Sequence, residues 1–315
     1  GLALPLISLQ MSEIEIKLNL KSANELFTII EPSSQLTFHK KRIRPGVSTH
    51  NGLANFILSS DMVSTTGGVR TLNFLDIDPY VEANYIFLDK DERNRFALNE
   101  HKYLIEQVQR IQIDGVKSST KHKIEVAHPT KYMAWVGKRS DFSERNDFNN
   151  YTNWIYPNIP PYSKEYNYKT MFGSYTNSNP PYYTVSEATH KTNFRTEYLN
   201  KSILTNAALS FNGLFRIKSK DDDYFNNVQF YQHFKKNTLE DGIYVYSFSL
   251  NPDKFQPSGA CNFSMINNIE LTLDINELPK DSSSNNYYNY EFNIYTVNYN
   301  VLRIMSGTGG IQYNN

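Results

Sequence analysis

The 315-residue chain holds one cysteine, Cys261, so no disulfide can form within it, and its stability must come from a packed core, as in proteins of reducing compartments. Beside a turn signal, Cys261 reads as a small buried apolar residue and not as a nucleophile. Charge of one sign is also lacking, since 32 basic residues balance 32 acidic ones. That balance argues against direct work on nucleic acid, whose electrostatic footprint is a basic excess or stripe. Only Lys40, Lys41, Arg42 and Arg44 approach such a run, which reads as a solvated loop with phosphate binding as the lesser alternative. No unbroken apolar run approaches the ~20 residues that span a bilayer. No cationic stretch followed by an apolar core marks a leader at Gly1.

Motifs for chemistry are equally scarce. Seven histidines are scattered without an HExxH pair. His122 and His128 come nearest to a metal pair, but Pro129 bends the chain there and no third ligand is evident. Asp221, Asp222 and Asp223 suggest calcium, yet the loop glycine is missing and Gln232 stands where a bidentate glutamate is needed, so a hydrated acidic loop is the better reading. Ser306-Gly307-Thr308-Gly309-Gly310 lacks the lysine of a phosphate-cradling loop and reads as a flexible C-terminal turn. No nucleophile elbow, Cys-His signature or acid/base pair appears. The sequence thus points to no catalytic residue, no cofactor and no metal.

What the chain has instead is 23 tyrosines and 19 phenylalanines, with almost no helical periodicity, a profile that favours sheets. Ile14, Ile16, Leu18 and Leu20 alternate with polar residues as a half-buried strand, and so do residues 81 to 88. Residues 40 to 68 are polar and read as exposed loops. Asp89 and Glu92 have capping-box spacing before a short helix over about 90 to 98, the natural link between two domains. Strands follow over 103–113, 123–126 and 131–136, with Pro129 at a turn. From about 137 to 201 the pattern vanishes into Tyr, Asn, Pro and Ser. So long a loop has a function or fold of its own, and Trp154, Tyr156, Tyr162 and Tyr166 argue against disorder. Ile269 to Ile275 is the cleanest half-buried strand. The parity change between Tyr290, Phe292, Ile294 and Tyr295, Val297, Tyr299 predicts a β-bulge near Ile294. Many short strands with Gly/Pro corners indicate a sandwich or jelly roll. Sequons at Asn150, Asn200 and Asn262 are weak glycosylation signals without a leader, and Asn262 lies in a predicted strand.

The most informative stretch is GIYVYSFSLNPDKFQPSGACNFS, from Gly242 to Ser264. Tyr244, Tyr246, Phe248 and Leu250 fall on one side of a strand that Asn251-Pro252 breaks. Pro257, Ser258 and Gly259 then supply a structural turn, a hairpin-like corner that re-enters the sheet at Asn262.

This stretch resembles a segment in the second jelly roll of the major capsid proteins of nucleocytoplasmic large DNA viruses, such as iridoviruses, chlorella viruses and mimiviruses. GLALPLISLQ at Gly1, DKDERNRFA and EHKYLIEQVQ between Asp89 and Gln109, HPTKYMAWV from His128, and the closing NYNVLRIMSGTGGIQYNN resemble their counterparts in the same order. The resemblance implies an all-β double jelly-roll. Residues 1–98 would be the C-terminal part of an incomplete first roll plus a linker helix, with 99–315 the second roll, and the chain the C-terminal portion of a longer protein. It implies homotrimers with a pseudo-hexagonal outline that make lateral contacts in an icosahedral virion shell, assembled in the host cytoplasm. It also implies penton and minor capsid partners and an indirect relation to an internal virion membrane. The 137–201 loop would build the outer surface. A carbohydrate-binding β-sandwich is the alternative, because tyrosine-rich loops also stack on sugars and fold alone does not separate the two.

Overall fold

The computed structural model describes residues 3–21, 25–26, 28–30, 42–43, 63–66, 69–72, 78–154, 201–235, 239–276 and 287–313. Two short antiparallel pairs come first: β1 (Ile29–Ile30) with β2 (Arg42–Ile43), and β3 (Val63–Thr66) with β4 (Val69–Leu72). Parts of the 40–68 region are therefore paired backbone and not loop, while Lys40, Lys41 and Arg44 lie outside the described residues. Helix α1 (Lys90–Leu98) follows, its first turn capped by the Asp89 carboxylate, which accepts the Glu92 amide at 2.8 Å.

The rest is a β-sandwich. Its strands are β5 (His101–Val116), β6 (Thr120–Lys123), β7 (Pro129–Arg139), β8 (Leu204–Phe211), β9 (Leu214–Asp221), β10 (Ile243–Ser247), β11 (Cys261–Asn262), β12 (Ile269–Ile275), β13 (Tyr290–Met305) and β14 (Thr308–Ile311). One sheet runs β5-β13-β7-β10, with β11 and β14 as additions, and the other runs β6-β12-β8-β9. All these pairs are antiparallel. With β5 beside β13, the chain crosses between the sheets at every step except the β8–β9 hairpin and the same-sheet steps β10 to β11 and β13 to β14, the wiring of a jelly roll. The core between the sheets holds Met133, Trp135, Tyr244 and Phe292 from one and Leu209, Leu271 and Leu273 from the other, all at most 2% exposed. Phe225 closes one side, edge-on to Trp135 at 5.1 Å between ring centroids.

Several expectations change. Residues 14–20 and 81–88 are not strands: among the described residues neither is paired, and Ile16 and Phe87 are 73% and 92% exposed. Alternation marks which face could be buried, but a strand exists only where a neighbour completes its ladder. Strand β6 ends at Lys123 where a strand was expected to begin, and β7 takes Gly137, Lys138 and Arg139 out of the expected loop. Ile294 sits in regular register between Ile111 and Trp135; the register shifts lie at Tyr290/Phe292 and Val297/Asn298. Both parities of β13 are apolar because this strand is sheet centre and buried on both faces.

A helical segment, absent from the expectations, starts at the acidic run. Asp221 Oδ1 accepts the Tyr224 amide at 3.1 Å, and a π turn over Tyr224–Val228 leads into α2 (Gln229–Phe234). Phe230 and Phe234 cover Val245 on the outer face of the sheet. The acidic run thus leads into a helical segment, with Asp221 accepting at its start, instead of forming a hydrated loop. The glycine-rich end is also ordered: Ser306 and Gly307, at φ 54° and 84°, form a two-residue turn between β13 and β14. Met11 donates its amide to the Gly307 carbonyl at 2.8 Å, docking the N-terminal segment on this hairpin.

Candidate functional site

The Gly242–Ser264 stretch is not a hairpin. Ile243 to Ser247 pair with Val136 to Tyr132, and Cys261 and Asn262 pair with Thr130 and Pro129, so β10 and β11 run in one direction along the same edge of β7. Residues 248–260 are an excursion from an interrupted edge strand. The regular strand stops at Ser247 because Lys131 is the extra residue of a β-bulge, opposite the Val297/Asn298 shift, and its carbonyl accepts the amides of both Phe248 and Ser249 at 2.9 and 3.1 Å.

Lys131 also holds the excursion from its side chain. With that side chain only 5% exposed, Nζ donates to the Pro252 carbonyl at 2.7 Å and pairs with Glu106 at 2.5 Å. A buried ammonium needs such partners, because unpaired it is costly to desolvate. Of the turn residues, Pro257 and Gly259 are exposed and Ser258 is half-buried. The Ser258 hydroxyl accepts the Asn251 amide at 2.8 Å and lies 2.6 Å from Ser249 Oγ. Gly259 has φ 130° and sits where a Cβ would lie 3.2 Å from the Phe248 carbonyl oxygen. Cys261 is half-buried, and burial pushes its thiol pKa up. Leu250 and Phe255 point outward, 70% and 59% exposed.

A second cluster closes the base of the long segment between β7 and β8. The Asn153 amide donates to the Lys201 carbonyl at 2.9 Å and its Nδ2 to the Ser202 carbonyl at 3.2 Å. Its own carbonyl accepts Arg139 Nη1 at 2.8 Å, and its Oδ1 accepts the Tyr290 hydroxyl at 2.5 Å. All four polar groups of one asparagine are used. Arg139 meets Asp141 in a two-pronged pair at 2.7 and 2.8 Å and stacks on Tyr288 with 4.6 Å to the ring centroid. Burial raises the Tyr290 phenol to about 12.

Asn150 is 6% exposed, and its Nδ2 donates to Asp147 and to the Trp154 carbonyl at 2.9 and 2.7 Å, so a glycan there, which replaces one Nδ2 hydrogen, would cost at least one of these bonds. Asn262 is exposed, and its Oδ1 accepts the Ser264 amide. Asn200, Tyr156, Tyr162 and Tyr166 lie outside the described residues. His122 bonds Thr120 and His128 is buried; among the described residues no His, Cys, Asp and Glu gather into a metal site. Sequence reasoning missed Lys131, Arg139 and Asn153. A lysine inside the apolar run KYMAWV was the available signal for the first.

Residues 92–310 match the family described as large eukaryotic DNA virus major capsid protein. The chain belongs to that family. The major capsid protein of Paramecium bursaria Chlorella virus 1 is 32% identical over the whole of this chain and 64% of its own length. That of Phaeocystis pouchetii virus is 29% identical over the whole chain and 63% of its own. This capsid-family chain therefore spans less than two thirds of these relatives. A quasi-atomic model of the PBCV-1 virus capsid superposes with a TM-score of 0.51 at 32% identity, covering 73% of this chain and 56% of the other. The named relatives are structural capsid proteins and not enzymes.

Proposed function

We propose that this chain is the shell-forming part of a major capsid protein that trimerises into pseudo-hexameric capsomers and tiles an icosahedral virion shell, assembled in the host cytoplasm. The observation that carries the reading is the complete jelly-roll strand order of residues 101–305 together with the 32% match to a solved capsid. A roll with few free strand edges suits dense packing, and two such rolls per chain give a trimer six nearly equivalent sides. In this reading residues 1–98 belong to the first roll and 99–315 to the second. Pro257, Ser258 and Gly259 fix the shape of the excursion. The segment rooted at Asn153 forms the outer surface, and penton and minor capsid proteins are the further partners.

Light scattering and electron microscopy of the full-length protein test this. Trimers with a hexagonal outline that associate side by side are expected. A persistent monomer that binds a defined glycan would overturn the reading in favour of a carbohydrate-binding sandwich.

A further inference from the structure

Among the described residues strand β5 is an edge. It pairs with β13 from His101 to Val116, and among the described residues no strand covers its other side. A long edge with free backbone donors and acceptors is a template for another strand, which monomeric proteins block with charges. The charges on β5 have a different arrangement. On its outer face stand Lys102, Leu104, Glu106, Val108, Arg110, Gln112 and Asp114, alternating in sign, with Val108 at the centre and 63% exposed. Laid antiparallel against its own copy about Val108, the strand brings Lys102 opposite Asp114 and Glu106 opposite Arg110, each twice. The other face matches in the same way: Gln107 meets Gln109, Ile105 meets Ile111 and Tyr103 meets Ile113.

We propose that β5 is a self-complementary contact by which two copies of this chain join edge to edge around a two-fold axis at Val108. Opposite charges meet on the outer face, and the glutamines and apolar side chains of the other face meet their own kind, with Leu104 against Gln112 as the one mixed pair. An edge guarded against its own copy would set like charges opposite one another. The shift of one residue would place every side chain against the wrong face, so the register is specified. The contact is isologous and therefore distinct from the three-fold contact of a trimer, which it could link to a neighbouring one. Intrachain bonds preset its charged heads, since Arg110 Nε donates to Asn293 Oδ1 at 2.8 Å and Glu106 is held by Lys131.

Cysteine cross-linking of the full-length protein reads the register directly. Directly opposite residues of an antiparallel pair lie about 4.5–5.5 Å apart at Cα, within disulfide range. Under mild oxidation Val108→Cys should give a covalent pair of chains well above the background from Cys261 in the unsubstituted protein. Leu104→Cys, which faces Gln112, should not, whereas Leu104→Cys with Gln112→Cys should. Adding Lys102→Glu to Val108→Cys should lower the yield severalfold, and Asp114→Lys on top should restore it. Equal cross-linking of Val108→Cys and Leu104→Cys, or no response to the charge exchange, would overturn the contact. Trimers without the Val108 link would overturn this contact and leave the capsid reading standing; the link without trimers would do the reverse.

Discussion

The Tyr290 hydroxyl donates to Asn153 Oδ1 at 2.5 Å, joining the central strand of the sheet to the entrance of the long segment between β7 and β8. Asn153 in turn holds the exit of that segment at Lys201 and Ser202. Entrance, exit and sheet meet at one residue, so the chain on either side of residues 155–200 is fastened to the sheet.

Asn153→Ala should lower stability by about 2–4 kcal/mol, because it strips a buried partner from Tyr290 and from Ser202 at once. Tyr290→Phe, which removes one bond and keeps the ring, should cost about 1–2 kcal/mol. Urea unfolding midpoints compare the two. Equal effects would show that the asparagine does no more than accept the phenol.

The raised phenol makes stability fall in alkali. Tyr290 keeps its proton to about pH 12 when folded, whereas an unfolded tyrosine loses it near pH ~10. Between those values the unfolded chain binds fewer protons, so stability drops as pH rises, by at most about 1.4 kcal/mol per pH unit for this group. Below that window its contribution is fully present. Tyr290→Phe should flatten the decline above pH ~10 relative to the parent, leaving the share of Tyr244, whose pKa burial also raises. Thermal melts over a pH series measure the slope.

Lys131→Met should loosen residues 248–260 while the sheet persists. The substitution leaves the Pro252 carbonyl without its donor, a local cost of about 1–3 kcal/mol. Hydrogen exchange should quicken at Leu250 and Asn251, whose amides bond Ser258, and remain slow in β10. Unchanged exchange at those amides would refute the latch.

Gly242→Ala should cost about 2 kcal/mol or more. Gly242 has φ 82°, and an added Cβ would fall 2.0 Å from the Tyr151 carbonyl oxygen, so backbone strain and a clash with backbone combine. Gly115→Ala, at φ 71° with open space around it, isolates the strain alone and should cost less in the same melts.

Strand patterns in the sandwich were legible where a strand buries one face only: Ile269, Leu271 and Leu273 announce β12 through strict alternation. Alternation failed where it lacked a neighbour, as at Ile14 to Leu20, since pairing is a relation between segments and not a property of one. It also misled at β13, where burial on both sides erased the period and imitated a bulge. The helix after Asp221 hid because Phe230 and Phe234 cover only Val245 and its surroundings, too narrow a stripe to give a clear period. Lys131 and Asn153 act through carbonyls remote in the chain, and nothing in their immediate sequence names those carbonyls.

Because β10 and β11 follow one line along β7, the hydrogen-bond register on either side of residues 248–260 is set by β7 and is independent of what lies between. The excursion can therefore lengthen, shorten or change its exposed residues without shifting a single rung of the ladder, so variation in this part of the chain need not disturb the frame that carries it.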